Sequence, residues 1–289
     1  PKHRFAAIAA THIMDCYYRV GNWDEVEKWA TKLIKERNFL FKSKSDLQKV
    51  IAISMTRKAK DLETEGKTTE SIAQLDKIAS KFKKNKEIMA YTTYTLAYLH
   101  AKSKNLPQAI KQYEKLISKY PKTEKAAEAQ FVIGQIYESQ TEFEKAANAF
   151  MAMKRFKQRA QTPSAIINAA TIFEALESYG SAIDALVTFK KLFPKDKRTP
   201  AVCLKIGRLR LDKGERDAAV KQFITTAKKY NKTPSIFIEA VSRAAQVLFD
   251  TAKNSKRRRI QDLGKQVLKA FRENAGKNPQ KNPLRHFAA

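Results

Sequence analysis

The stretch "YPKTEKAAEAQFVIGQIYESQTEFEKAANAF", residues 120–150, reads as two helices joined by a polar turn around residues 140–142. Small residues occupy positions where a packed helix usually carries a large core side chain: Gly134 in the first helix and Ala146 in the second. Glycine in a helix interior is less stable than alanine by about 1 kcal/mol, so Gly134 is worth keeping only where another helix approaches closely. We therefore predict a helical hairpin that crosses at Gly134 and Ala146.

The pattern of the second helix returns at a near-constant interval. A small or compact residue recurs in six segments, at successive intervals of 45, 38, 37, 36 and 37 residues. These residues are Val26, Ser71, Ala109, Ala146, Ala182 and Ala219. In five of the segments a bulky residue follows one helical turn later, namely Leu75, Tyr113, Phe150, Leu186 and Phe223. A period of this length is the signature of a helical repeat array, in which each hairpin packs on its neighbours.

The composition predicts an all-α protein. The 289 residues include only 8 glycines and 9 prolines, and 43% are hydrophobic, enough to bury a core. No apolar run approaches the roughly 18 residues that a membrane-spanning helix needs. The apolar part of the opening "PKHRFAAIAATHIM" is short and is interrupted by His12 and Asp15, so no signal peptide is predicted within the sequence.

The charge allows two interpretations. Lys and Arg number 57 against 29 Asp and Glu, a formal net charge of +28. Such a field favours nucleic acid, anionic lipid or an acidic protein face. Alternatively the surface is simply basic and solvated, because Lys outnumbers Arg and nucleic-acid recognition relies more on bidentate Arg. A candidate anion-binding patch, which is otherwise solvated charge at a turn, consists of Lys256, Arg257, Arg258 and Arg259.

No catalytic or metal-binding pattern is found in the sequence. The four histidines are dispersed, and there is no phosphate-binding glycine loop, nucleophile elbow or HExxH motif. Cys16 and Cys203 are far apart, and both are expected to pack as small apolar side chains. We therefore predict a protein that is not an enzyme, with no catalytic residues, no cofactor and no metal.

The residues Ile133, Gly134, Tyr137, Ala146 and Phe150 resemble the consensus of the tetratricopeptide repeat (TPR) family. The resemblance covers about residues 50–231, in units slightly longer than the family's 34 residues. It implies an all-α, right-handed α-solenoid of about seven TPR-like helical hairpins. The expected divisions are a divergent N-terminal hairpin (1–45), TPR-like repeats (46–233), a C-terminal capping hairpin (234–275) and a flexible tail (276–289).

The resemblance also implies a function, that of a protein–protein interaction scaffold or adaptor. In this family the first helix of each hairpin lines a concave groove that binds a partner segment. The corresponding residues here are Arg57, Lys60, Tyr91, Tyr94, Tyr98, Lys102, Phe131, Gln135, Asn168, Lys205 and Arg208.

Tyr91, Tyr94 and Tyr98 form a stripe along one predicted helix, which we call the tyrosine stripe. It is either buried core or part of the groove. The groove is supported by a second apolar row, Leu96, Ala97 and Leu99, which is available for packing. Flanked by cations, the stripe would suit an extended peptide with acidic or aromatic residues.

The joins between repeats, "KYPKTEKAAEA" and "FPKDKRTPA", resemble those of bacterial cell-envelope members. This implies an envelope or motility assembly, with the periplasm favoured over the cytoplasm. The carboxylate clamp of chaperone-binding members is incomplete, because Phe131 and Gln135 replace the expected Lys and Asn. The alternative functions are a basic nucleic-acid-binding repeat protein and peripheral attachment to an anionic membrane.

Overall fold

The computed structural model describes residues 4–35 and 44–252, together with Lys265 and Lys269 as two isolated helical positions. Within these residues the chain forms thirteen α-helices, one 3-10 turn and no strand. In order they are α1 (Arg4–Arg19), α2 (Trp23–Lys35), α3 (Lys44–Thr64), α4 (Thr68–Lys81), α5 (Lys86–Lys102), α6 (Leu106–Lys119), α7 (Glu124–Ser139), α8 (Phe143–Met151), the 3-10 turn (Ala152–Phe156), α9 (Thr162–Ala175), α10 (Tyr179–Leu192), α11 (Thr199–Asp212), α12 (Arg216–Lys229) and α13 (Pro234–Ala252).

The chain divides into two compact units, Pro1–Ile136 (the first unit) and Tyr137–Ala289 (the second unit). In the first unit, helices α1 to α6 each pack mainly against the helix before and the helix after them. In the second unit, helices α8 to α13 pack in the same way. Packing between sequence neighbours is the arrangement of an α-solenoid, and the prediction of an all-α solenoid is confirmed.

The small positions of the repeat are buried in every hairpin. Val26 is buried, and so are Ser71 and the four alanines at equivalent positions. The bulky residues that follow one turn later are buried as well. Ser71 is the polar exception, and its hydroxyl donates a hydrogen bond to the carbonyl oxygen of Ala59 at 2.6 Å. The repeat period therefore describes the packing of each second helix.

Each first helix ends in the same turn, in which one residue adopts a left-handed conformation. Three of these residues are glycines, Gly21, Gly66 and Gly214, and the other three are Lys104, Thr141 and Glu177, with φ between 55° and 84°. Each lies five positions before a small residue of the repeat. In all six turns the next residue donates its N–H to the carbonyl five positions back, as Glu215 does to Arg210 at 2.7 Å. This is the Schellman motif, which satisfies carbonyls that a helix end leaves unpaired.

Helix α11 contains a glycine, Gly207, that a large aromatic side chain approaches closely. A Cβ atom built on Gly207 would lie 2.4 Å from the Phe223 ring, and the three nearest heavy atoms all belong to that ring. Gly207 is therefore approached by α12, the second helix of its own hairpin, and the nearest atoms belong to Phe223. The glycine makes room for the fully buried ring of Phe223, one turn further along α12. The equivalent crossing at Gly134 and Ala146 stays a prediction.

The structure also bears on the cysteines and the C-terminal region. Cys203 is buried, as predicted, but the prediction is wrong for Cys16, which is exposed. Cys16 lies on α1, which packs mainly against α2, so part of the surface of α1 faces solvent.

Several predictions concern residues that the structure does not describe. They are the second helix of the capping hairpin apart from Lys265 and Lys269, the tail 276–289, and the patch of Lys256, Arg257, Arg258 and Arg259. In the part of the chain that is described, no helix has the length and apolar character needed to cross a membrane.

Candidate functional site

A cleft of about 790 Å³ lies within the first unit. It is lined mainly by α3 and α5, the first helices of successive hairpins, with one residue each from α1, α4 and the start of α7. Its aromatic and charged lining residues are Tyr18, Arg57, Lys60, Glu63, Tyr91, Tyr94, Tyr98, Lys102 and Lys125. First helices line the cleft because each second helix turns its bulky side chains into the core of the hairpin.

Six of the eleven predicted groove residues come together in this cleft. Helix α3 contributes Arg57 and Lys60, and helix α5 contributes the tyrosine stripe and Lys102. Their side chains share a face on each helix because they recur at intervals of three and four residues. Whether these residues bind a partner stays a prediction.

The other five predicted groove residues do not line the cleft. Phe131 is half-buried and Gln135 is exposed, both on α7 in the first unit. In the second unit Asn168 and Arg208 are exposed, on α9 and α11. Lys205 is half-buried, and its ammonium group pairs with the carboxylate of Glu174 at 2.5 Å. A partner-binding role for these five residues likewise stays a prediction.

The tyrosine stripe lies at the surface of the cleft. Tyr91 is 45% exposed and Tyr98 is 49% exposed. Other residues of α5 contribute to the core: Ala97 is buried, and Leu99, which also borders the cleft, is buried as well. Helix α5 thus packs through these residues while Tyr91 and Tyr98 stay partly exposed in the cleft, and a partner-binding role of the stripe stays a prediction.

Tyr94, the middle member of the stripe, is half-buried and held on several sides. Its ring contacts the buried Tyr113 edge-on, with centroids 5.5 Å apart and an interplanar angle of 61°. The ammonium group of Lys125 lies 4.7 Å from the Tyr94 centroid. Burial raises the pKa of Tyr94, and the nearby negative charge of the Glu128 carboxylate raises it further. Tyr94 therefore forms a fixed, uncharged floor between its two exposed neighbours.

Tyr18 forms the wall on the α1 side. Its ring meets Trp23 edge-to-face, with centroids 5.1 Å apart and an interplanar angle of 76°. The indole N–H of Trp23 donates a hydrogen bond to the carboxylate of Asp61 on α3. This link fixes the α1 wall beside α3.

Two of the four cations in the cleft are neutralised by neighbours. Lys102 pairs with Glu63, whose side chain is only 9% exposed, and this hydrogen bond raises the pKa of Lys102. Lys125 pairs with Glu128 at 2.6 Å. Arg57 and Lys60 are exposed on α3 and have no ion-pair partner among the described residues. The available positive charge of the cleft is therefore concentrated on its α3 wall.

Sequence reasoning missed Tyr18, Glu63 and Lys125. Glu63 follows Lys60 by three residues, a spacing that places both on one side of α3. Lys125 precedes Glu128 by three residues, and it was missed because α7 begins at Glu124, earlier than the sequence register assumed. Tyr18 lies in the divergent first hairpin, where no consensus fixes the register.

The cleft is equipped for binding. Its lining offers tyrosine faces, hydroxyl groups and two cations without a partner. Across residues 4–35 and 44–252, no three His, Cys, Asp or Glu side chains gather in a way that could hold a metal ion.

Residues 94–161 match the tetratricopeptide repeat family, which confirms the predicted resemblance. A search of curated proteins finds no match to the chain. Among solved structures, a tetratricopeptide repeat protein from Parabacteroides merdae is 14% identical and aligns over 91% of this chain and 98% of that one, with a TM-score of 0.39. BtubC from P. vanneervenii is 13% identical over 87% of this chain and 92% of that one, with a TM-score of 0.40. The structure of Naa15/Naa10 bound to HypK-THB is 15% identical over 96% of this chain and 43% of that one, with a TM-score of 0.45.

Proposed function

We propose that the protein is a non-catalytic scaffold that binds a segment of a partner protein in the cleft of its first unit, in keeping with the tetratricopeptide repeat match of residues 94–161. One observation carries the proposal: Tyr91 and Tyr98 are each nearly half exposed inside a concave surface. Tyrosine is enriched in protein interfaces, where a large rigid ring adds contact area and a hydroxyl adds a hydrogen bond.

The unpaired positive charge of the cleft favours an acidic partner segment. Arg57 and Lys60 have no carboxylate partner among the described residues, whereas Lys102 and Lys125 do. An acidic segment would supply the missing counter-charges and would be attracted by the net charge of +28. The partner is therefore a protein with an exposed acidic segment, and aromatic side chains in that segment would pack against the tyrosines.

We also propose a cellular location for this interaction. The joins at residues 119–129 and 193–201 resemble those of cell-envelope members of the family, which favours a bacterial envelope or motility assembly. Fractionation of the native cells, with the chain followed by antibody, tests this setting. Recovery with the cytoplasmic proteins alone would contradict it.

Capture of partners by a double variant, Tyr91→Ala with Tyr98→Ala, tests the proposed function. Both side chains are partly solvated and lie on the cleft face of α5, so the variant should retain its melting temperature within a few degrees. We expect proteins cross-linked to the wild type in native cells to be lost with the double variant, as read by mass spectrometry. The matched control is Phe143→Ala, because Phe143 is 42% exposed and belongs to the second unit. Equal recovery by wild type and double variant would contradict binding in the cleft.

The net charge of +28 supports a second candidate, a basic nucleic-acid-binding repeat protein. Binding of that kind releases counterions and weakens steeply with salt. Oligonucleotide binding that falls steeply between 50 and 200 mM salt, and that ignores the two tyrosine substitutions, would favour this candidate over the scaffold.

A further inference from the structure

The exposed tyrosines are spaced along α5 by an interval that matches one kind of extended peptide. Tyr91 and Tyr98 are seven residues apart, which corresponds to about 10 Å along a helix axis. A polyproline II segment advances about 3.1 Å per residue with three residues per turn, so prolines at every third position recur about every 9 Å. Two successive prolines of such a segment can therefore meet two successive exposed rings.

The chemistry of the rings agrees with this spacing. A tyrosine ring offers a flat apolar face for a proline ring, and aromatic-lined grooves are the usual docking sites of polyproline II segments. A polyproline II backbone makes no internal hydrogen bonds, so its carbonyl oxygens are available to tyrosine hydroxyls. Such a segment is already extended and loses little conformational entropy when it binds.

A helical partner segment fits this cleft less well. A helix that docks in a groove needs aliphatic side chains to receive its apolar face. Ile53 is the exposed aliphatic residue among those that line the cleft, whereas Leu99 is buried. A helix would also leave the hydroxyls of Tyr91 and Tyr98 without backbone acceptors, because its carbonyls are already paired.

The α3 wall adds a requirement for negative charge. Arg57 and Lys60 are three residues apart and lie on the same side of α3. Neither has an ion-pair partner in the part of the chain that the structure describes. A segment lying along α5 would thus present one of its edges to two unpaired cations.

We infer that the occupant of the cleft is a proline-rich, acidic segment of another protein, held as polyproline II with its prolines on Tyr91 and Tyr98 and its carboxylates toward Arg57 and Lys60. The inference rests on the proposed function, because it names the partner class of the same cleft. Tyr94 serves as the floor between the two rings, with its own ring packed against the buried Tyr113.

Fluorescence anisotropy with the full chain and three labelled peptides of about twelve residues tests the inference. The first peptide has a proline at every third position and an acidic residue between each pair of prolines. The second replaces the prolines by serine, and the third replaces the acidic residues by their amides. We expect the first peptide to bind about tenfold or more tightly than either of the others.

Substitutions test separately the contact of the prolines with the tyrosines of α5 and the contact of the carboxylates with the cations of α3. Tyr98→Ala should weaken binding of the first peptide about tenfold. The double variant Arg57→Ala with Lys60→Ala should weaken the first peptide by a similar factor and leave the third unchanged. Phe143→Ala is the control for the tyrosines, and Lys83→Ala with Lys84→Ala, two exposed lysines of the first unit outside the cleft, is the control for charge. Neither control should change the affinity.

Three results would overturn the inference. Equal affinity for the proline and serine peptides, with both sensitive to Tyr98→Ala, would reject the proline-rich partner and leave the scaffold intact. Binding that responds equally to the Lys83 and Lys84 control would show non-specific charge attraction. No binding of the first peptide at millimolar concentration would also reject the inference, whereas the proposed function is judged separately by the cross-linking experiment.

Discussion

Gly180 and Gly207 are two helical glycines of the second unit with opposite surroundings. A Cβ atom built on Gly207 would overlap the ring of Phe223, which is itself fully buried. A Cβ atom on Gly180 would meet only the flexible end of Lys213, at 3.9 Å. The same chemical change at the two positions should therefore have effects of opposite sign.

We predict that Gly207→Ala lowers the free energy of unfolding by about 1–3 kcal/mol, because a buried ring must move. Gly180→Ala should raise it by about 0.5 kcal/mol, because alanine restricts the unfolded chain and favours the helix. Urea unfolding followed by circular dichroism measures both values. A neutral Gly207→Ala would mean that the Phe223 ring relaxes without loss of packing.

Asp196 and Arg198 form a compact pair in the loop between α10 and α11. Both carboxylate oxygens of Asp196 accept hydrogen bonds from the guanidinium group, at 2.8 and 2.9 Å, and one also accepts the Arg198 backbone N–H. The guanidinium also donates to Ser164 at the start of α9, so the pair ties two hairpins of the second unit. The hydrogen bonds from Arg198 lower the pKa of Asp196 to about 2.

The pKa shift of Asp196 predicts a pH dependence. A carboxyl group with a lowered pKa in the folded state stabilises the fold above its unfolded pKa and loses that contribution as the pH falls toward its folded pKa. Asp196→Asn should therefore lower the free energy of unfolding by about 1 kcal/mol at pH 7. The difference from the wild type should shrink between about pH 4 and pH 2 in urea titrations.

Asp184→Asn is the control for this prediction, because Asp184 is exposed on α10 and has no ion-pair partner among the described residues. It should not show the loss of stability at pH 7. A difference between wild type and Asp196→Asn that persists unchanged at pH 2 would show that the hydrogen bonds of Asp196 are not the source of its stabilising effect.

At the scale of one element, the six Schellman turns offer an internal comparison. Thr141 carries a β-branched side chain at φ 59°, a conformation that costs about 1–2 kcal/mol for a residue with a Cβ atom. Gly66 has φ 79°, and nothing lies within 4 Å of the position where a Cβ atom would be added. The two turns therefore differ in backbone strain, and the exposed Thr141 side chain also donates a hydrogen bond to the carbonyl of Gln140 at 2.6 Å.

We predict that Thr141→Gly raises the free energy of unfolding by about 0.5–1 kcal/mol, since relief of strain exceeds the added entropy of the unfolded chain. Gly66→Ala should lower it by about 1 kcal/mol through strain alone. Thermal and urea unfolding of the two variants check both signs. Destabilisation by Thr141→Gly would mean that the threonine side chain makes a contribution larger than the strain.

These turns show what the sequence reveals and what it conceals. The size of a side chain is given directly by the sequence, so the repeat of small residues such as Ser71 and Ala109 could be recognised without a structure. Glycine marks a left-handed residue in a sequence, but Lys104, Thr141 and Glu177 do not, so the left-handed conformation was not predictable at half of the turns. The contact of Gly207 with Phe223 was not predicted, because a sequence pattern does not say which turn of the partner helix fills a gap.

The cleft residues likewise fall into those that the sequence predicts and those that it does not. The tyrosine stripe, Arg57 and Lys60 were predictable, because intervals of three and four residues define one helix face. Lys125 and Tyr18 were not: α7 begins earlier than the sequence indicated, and the register of α1 is not fixed by the repeat consensus. The burial of Tyr94 against Tyr113 depends on how α5 packs on α6, which is a tertiary property.

At the scale of the whole molecule, the dominant quantity is the net charge of +28. Self-repulsion of this charge destabilises the compact state, and salt screens it over about 10 Å at 0.1 M. Exposed ion pairs such as Lys58 with Asp24 act in the other direction, but each contributes only about 0–1 kcal/mol. The repulsion should therefore determine how stability responds to salt.

We predict that the melting temperature rises by several degrees when NaCl is increased from about 20 to 200 mM. Sodium chloride is the suitable salt, because sulfate stabilises proteins by exclusion from their surface. Differential scanning calorimetry gives the measurement. A melting temperature that falls with NaCl would show that the ion pairs outweigh the repulsion.

The six left-handed turns have a practical consequence for anyone who wants to watch this chain unfold. All six turn residues are exposed, and their backbone path is the same whether glycine, lysine, threonine or glutamate occupies it. Lys104, Thr141 and Glu177 already tolerate a side chain in this conformation, so each can be replaced by a cysteine that carries a fluorophore. With Cys16 changed to serine and Cys203 left in the core, three singly labelled chains would place the dye at equivalent turns of successive repeats. Their signals would time the opening of individual hairpins without altering a core side chain.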